Sequence, residues 1–351
     1  MNTKIRMVLA SVFILSIATI FMVGCGVEDT EHISPVEFAN ALVLRPINLP
    51  TMTNTQTCYE LWLIDAKYTM DEDSNSIIEI EDDLSLGKFY WNRQRYEFYN
   101  LNGTQIDSNF YTPNGENIYN YTVMALTVEP IEDDGVRANN GLIFDDIEYG
   151  QPIEGQFNYF GSFSPSVVMD YGDPMSATYV LRSYSDDGDP DTSPESGVWF
   201  HARDVGGDDY RETLSIPGLR EDAAFIYEGW IEMPDSFDGP LSTGKFRIPF
   251  FEDLSNPYVG TEWYPNTPGE DFITNAPAGV NFPLTLAGEG RVFITIEPYP
   301  DLDPDDPFPF TLFEAELPNV EADSTLDTSD NFEMVNFYGY LPKFEASLYT
   351  R

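Results

Sequence analysis

The groups able to do chemistry in this 351-residue chain are overwhelmingly carboxylates: 60 Asp and Glu stand against 17 Lys and Arg and two His. They gather in loops. Asp186, Asp187, Asp189 and Asp191 alternate around Gly188 and Pro190, and Asp301, Asp303 and Asp305 alternate around Leu302 and Pro304. Such alternation can surround a hard cation, and calcium, with its roughly 6–8 oxygen ligands, is the metal it suits. Neither run has the central Gly and closing Glu of an EF-hand loop, and a solvated acidic surface accounts for the same residues. Glu129 and Glu297 each precede a proline, Pro130 and Pro298. As paired acids they would serve a hydrolase only at about 5–10 Å from one another; as strand-end carboxylates they would bond a turn. Cys58 would need a base to act as a nucleophile, and His32 and His201 are the only imidazoles. It reads as a small buried hydrophobe. There is no phosphate loop, nucleophile elbow or cluster of metal-binding His. The expectation is a non-enzyme with no cofactor beyond a candidate calcium, and a carboxylate-based hydrolase is the alternative.

The acids must be positioned by a folded scaffold, and the composition says which kind. Net charge is −43, which would suit disorder. Against that stand 25 Phe, 21 Tyr and 5 Trp, enough to build large cores. Aromatic and β-branched residues punctuated by 26 Pro and 25 Gly point to strands and turns, and no long stretch outside the N-terminus has helical periodicity. Trp62, Trp91, Trp199, Trp230 and Trp263 are expected in cores more than as exposed platforms. So acidic a chain has no affinity for nucleic acid, which is bound through Lys and Arg on phosphates.

Three blocks occur twice in the same order. Tyr59-Glu60-Leu61-Trp62-Leu63-Ile64 returns as Tyr227-Glu228-Gly229-Trp230-Ile231-Glu232. Leu84-Ser85-Leu86-Gly87-Lys88-Phe89 returns as Leu241-Ser242-Thr243-Gly244-Lys245-Phe246, and Ala125 to Pro130 returns as Phe293 to Pro298. The outer blocks share one offset and the middle block differs, so the connecting loops compensate in length. Each block reads as a strand, the middle one as a turn into a strand in which Gly87 and Gly244 supply an unusual backbone angle. In the first block Tyr59, Leu61 and Leu63 share one face and Glu60, Trp62 and Ile64 the other; both faces are largely apolar, as in a central strand of a sandwich. The prediction is an all-β protein of two tandem β-sandwich-like domains related by internal duplication, over 37–205 and 206–351. The segments 177–184 and 197–202 form a hairpin assigned to the end of the first, with a central strand shared by both as the alternative.

The N-terminus has another chemistry. Lys4 and Arg6 precede an apolar run from Met7 to Val23, then Gly24-Cys25, which is the layout of a secretory signal. Met22-Val23-Gly24-Cys25 resembles the lipobox of bacterial lipoproteins. That resemblance implies cleavage after residue 24, acylation of Cys25 and anchoring to the lipid bilayer through several acyl chains. Loss of residues 1–24 removes two cations and no acid, leaving a net charge of −45. Residues 25–36 form an acidic tether. Its acids directly after Cys25 resemble the export signal of surface lipoproteins in Bacteroidota-type envelopes, and equally match a linker as acidic as the rest. The expected location is the cell envelope, on the outer membrane, facing either the surface or the periplasm.

The repeated blocks resemble the extracytoplasmic C-terminal domain of RskA-type anti-sigma-K factors. The residues that carry the resemblance are Tyr59 to Ile64, Gly87 with Phe89 and Val128 to Pro130, and again Tyr227 to Trp230, Gly244 with Phe246 and Ile296 to Pro298. It implies the fold and names no catalytic group. The chain lacks the sigma-binding helical domain and spanning helix of that family, so no sigma factor is expected as a partner. The functional expectation is an envelope lipoprotein that binds an envelope protein or an extracellular ligand, or has a structural role, with a sensor accessory to a membrane partner as the alternative.

Overall fold

The computed structural model describes residues 38–52, 56–70, 76–132, 141–146, 157–163, 175–184, 196–203, 210–219, 225–251, 254, 258, 267–280, 284–301, 303–318 and 331–351. The leader, Cys25, the tether and the Asp186 to Asp191 run lie outside them. Among the described residues there is no α-helix, and no helix is long and apolar enough to cross a membrane. The expected all-β class is the one the chain adopts.

The strands are β1 (Ala41–Ile47), β2 (Thr57–Met70), β3 (Ser76–Asn92), β4 (Glu97–Tyr99), β5 (Gln105–Ile106), β6 (Asn109–Tyr111), β7 (Val123–Pro130), β8 (Gly141–Asp146), β9 (Phe157–Phe163) and β10 (Thr178–Leu181). They continue as β11 (Gly197–Trp199), β12 (His201–Arg203), β13 (Tyr210–Glu212), β14 (Phe225–Glu232), β15 (Leu241–Phe246), β16 (Gly269–Asp271) and β17 (Arg291–Pro298). Last come β18 (Thr311–Glu316), β19 (Phe332–Glu333), β20 (Val335–Asn336) and β21 (Lys343–Tyr349). They form a ten-stranded sheet ordered β5-β4-β3-β2-β7-β8-β9-β21-β1-β6, a five-stranded sheet β15-β14-β17-β18-β20, a four-stranded sheet β16-β11-β10-β19 and the pair β12-β13.

Both halves contain the same four-stranded unit, β3-β2-β7-β8 and β15-β14-β17-β18. Every residue from Thr57 to Ile64 and from Phe225 to Ile231 is buried, because β2 and β14 each lie between two neighbours with both faces covered. The irregularities match as well. The ladder slips between Leu61 and Trp62 in one unit and between Gly229 and Trp230 in the other. It slips again between Leu126 and Thr127, and between Ile294 and Thr295. The middle block is therefore a bulged strand rather than the expected turn into a strand. Gly87 and Gly244 sit at the bulge with φ of 119° and 109°, a region that favours glycine.

One face of each unit is aromatic. Tyr59 meets Phe89 at 5.8 Å between ring centroids and Tyr227 meets Phe246 at 5.5 Å. In the first unit Phe98 and Phe110 close over Phe89, so the ten-stranded sheet curls until β6 approaches β3. In the second, Phe200 at the end of β11 packs against Phe246, so the four-stranded sheet covers the five-stranded one. Four of the five Trp, at 62, 91, 199 and 230, are buried; Trp263 lies outside the described residues.

The sheets do not respect a division in sequence at 205/206. β21, the last strand, lies between β1 and β9 in the first sheet. The β10–β11 hairpin, assigned above to the first domain, pairs with β16 and β19 from beyond that division. Residues Phe38–Arg351 form one compact unit.

Candidate functional site

The face opposite the aromatic one is polar and buried in both units. In β14 and β17, Glu228 stands across from Thr295 and Ile226 across from Glu297, so Glu228, Trp230, Thr295 and Glu297 share a face. Trp230 Nε1 donates to Thr295 Oγ1 at 2.9 Å, and the Thr295 hydroxyl donates to Glu297. Ser242 Oγ donates to Glu228 Oε1 at 2.6 Å and accepts the Gly244 N–H at the bulge. Lys245, opposite Glu228 in the β14–β15 register, pairs with Glu228 and, at 2.9 Å, with Asp301. The Phe308 N–H donates to both oxygens of Glu297, at 2.9 and 3.1 Å.

The first unit repeats most of this brace. Trp62 Nε1 donates to Thr127 Oγ1 at 3.0 Å, and Ser85 Oγ donates to Glu60 Oε1 and accepts the Gly87 N–H. Tyr59 and Tyr227 donate their hydroxyls to Pro50 O and Pro217 O, at 2.9 and 3.1 Å. The lysines differ. Lys88 Nζ donates to Pro130 O at 2.9 Å and stays 3.8 Å from Glu60.

Three carboxylates, of Glu228, Glu297 and Asp301, converge with ligand atoms within 4.8 Å of one another. Burial raises the Glu228 carboxyl above the usual carboxylate range, with Lys245 opposing the shift. Burial lifts Glu297 further, to about 8, against its bonds to Thr295 and Phe308. Burial also works against the Lys245 ammonium, but Glu228 and Asp301 more than offset it, and Lys245 titrates above its ordinary value. Lys245 thus supplies the cation that Glu228 and Asp301 share, and burial favours the protonated form of Glu297. Glu228 and Glu297 are each 1% exposed and Asp301 is partly exposed. The bonds of Trp230, Ser242 and Lys245 tie β14, β15 and β17 together.

Glu129 and Glu297, considered as paired acids, lie in different sheets; the partners of Glu297 are Glu228 and Asp301. Of the calcium candidates, Asp301 turns inward to Lys245 and also accepts the Asp303 N–H at 2.8 Å, whereas Asp303 and Asp305 stay out of the carboxylate group. Crowding by Asp306, Asp301 and Asp305 adds to burial in raising Asp303. Cys58 is a buried thiol directed at the Glu129 carbonyl at 3.6 Å, and His201 Nε2 lies 3.0 Å from the Tyr184 hydroxyl. The Glu228–Lys245 contact had a signal in sequence: Glu60 and Lys88 hold the same places in the first repeated block pair.

One group of exposed apolar side chains lies after β15. Ile248, Phe250, Phe251 and Leu254 are exposed, between 37% and 64%, and Phe250 also lines a cleft of about 650 Å³ with Thr178, Leu214, Ile216 and Met334. No protein-family model, curated protein or solved structure matches the chain.

Proposed function

We propose that this protein is a non-catalytic lipoprotein of the cell envelope, anchored through acylated Cys25, whose duplicated β unit presents a binding surface to an envelope partner. The observation that carries the binding role is the exposed row Ile248, Phe250, Phe251 and Leu254 beside a cleft. Apolar side chains gathered at the surface mark interaction sites when they are contiguous, and here two aromatic rings lie 5.3 Å apart. The non-catalytic part is supported by the burial of Glu228 and Glu297, whose carboxyl groups bond within the second strand unit. The matching bulges and bonds of the two units support the duplication, and the likeness to the anti-sigma-K C-terminal domain is a reading of fold alone.

Two experiments test this reading. A photo-crosslinker at Phe251 in intact cells should capture a defined envelope partner, and Phe250→Ser with Leu254→Ser should abolish the capture. A fatty-acid analogue should label the wild type and spare Cys25→Ser. Hydrolysis of an envelope polymer by the purified chain, lost in Glu297→Gln, would replace the binding module with an enzyme.

A further inference from the structure

A second cleft, of about 500 Å³, opens on the first sheet, between the end of β1 and the β3–β4 hairpin. Its charge is opposite to that of the molecule. In a chain with 60 acids and 17 bases, the residues lining it include Arg45 and Arg93 and no carboxylate. Its aromatic wall is Trp91, Phe98 and Tyr96.

The wall is built with some strain. Tyr96 has φ of 57° and is 75% exposed, and a bulky residue at positive φ is unusual. Asn48, across the cleft, has φ of 58°. Such conformations persist where the surroundings hold them and cluster at binding sites. The surroundings are visible here. Trp91 Nε1 donates to Leu49 O at 3.0 Å, the Arg93 N–H donates to Thr51 Oγ1 at 2.9 Å, and the Arg95 N–H donates to Asn92 Oδ1 at 3.0 Å. The hairpin is thereby pinned to the segment after β1, with the Tyr96 ring edge-on to Trp91 at 6.0 Å.

The two guanidiniums are available. No hydrogen bond or ion pair among the described residues engages the Arg93 side chain. Arg45 pairs with Glu345 at 2.8 Å, but Arg45 is 74% exposed, and such pairs contribute about 0–1 kcal/mol, so a ligand can displace the contact. The nearby Glu97 is occupied by the Tyr99 hydroxyl.

Guanidinium forks match carboxylates in plane and spacing, and the negative face of an aromatic ring attracts polarised C–H groups. We infer that this cleft binds a carboxylate-bearing saccharide, a uronate oligomer, with its acid on Arg93 and Arg45 and a sugar face on Tyr96. This deepens the binding-module reading and rests on it, at a surface separate from the Phe250–Phe251 row.

The test is calorimetric titration of the full chain in detergent with an oligogalacturonate, its neutral galactose counterpart and benzoate. The uronate should bind, and Arg93→Gln should weaken it about tenfold, the loss of one charge-assisted hydrogen bond. Tyr96→Gly, which removes the ring and suits the backbone angle, should weaken it comparably while the chain stays folded. Equal binding of the neutral sugar, equal binding of benzoate, or indifference to both substitutions overturns the proposal. So does absence of uronate binding, and crosslinking from Phe251 would then still report on the broader reading.

Discussion

In β2-β3-β7 the lysine of the repeated block reaches a backbone carbonyl; in β14-β15-β17 it reaches a second carboxylate. The rest of the brace is the same, from the Trp–Thr bond to the Ser that links a Glu to a bulge. The second difference lies on the other face. Leu61 is a full core side chain, whereas its counterpart Gly229 leaves room for Phe200: a Cβ built there would sit 2.2 Å from Thr243 Oγ1 and 2.4 Å from the Phe200 ring. One scaffold thus carries two covers. The first sheet curls its own β4 and β6 over the aromatic face, and the second admits a ring from another sheet and must give up a side chain to do so. Strand pairing tolerates both solutions because it is set by backbone bonds, while the cover is set by side-chain volume.

The two units should differ in how much stability each loses on substitution. Lys245→Met should have the largest effect, about 3–5 kcal/mol of unfolding free energy, because it leaves the buried Glu228 and the half-buried Asp301 without their cation. Lys88→Met should cost about 1.5–3 kcal/mol, the loss of a charged donor to a carbonyl. Denaturant titration of both variants reads the difference, and equal losses would erase the distinction between the units. Next come the covers. Leu61→Ala should cost about 2–5 kcal/mol as a cavity, and Gly229→Leu about 1–3 kcal/mol by overpacking against Phe200; relief of the latter by Phe200→Ala would confirm the contact. Thr295→Val should cost about 1–3 kcal/mol and Thr127→Val less, since Thr295 serves both Trp230 and Glu297.

The smallest effect per step is a pH dependence. Glu297 is lifted to about 8 from its ordinary 4.5. Between those values the folded chain holds a proton that the unfolded chain has lost, so stability falls as pH rises, by at most about 1.4 kcal/mol per pH unit. Glu297→Gln keeps the acceptor for Phe308 N–H and cannot titrate. Its advantage over wild type should grow from near zero at pH 4.5 to a plateau above pH 8. A constant difference across that range would show that Glu297 is ionised in the fold.

The strands of this comparison were readable in sequence because the alternation of Tyr59 to Ile64 and the common offsets are local signals. Gly87 and Gly244 were readable as special backbone positions, but a bulge and a turn ask for the same residue, and only the partner strand tells them apart. The inward turn of Asp301 was hidden by its neighbours: among Asp303, Asp305 and Asp306 nothing local marks the one acid that meets a lysine 56 residues away. The covers were hidden for the same reason, since Phe200 and Gly229 are brought together by sheets packing at long range. So was the place of β21, whose residues carry strand propensity and no indication of which sheet they join.

The position of β21 has a consequence for how the molecule is made. Its ladder joins Ala41 to Tyr349 and Ile47 to Lys343, and Arg45 meets Glu345 across 300 positions of chain. β1 and β9 therefore have no bridge between them until β21 has been synthesised. The first half cannot close as it emerges, and its exposed strand edges must wait for the whole of the second. Loop-closure entropy makes such a step slow, so a chain without β21, Lys343–Tyr349, should have its sheet open between β9 and β1.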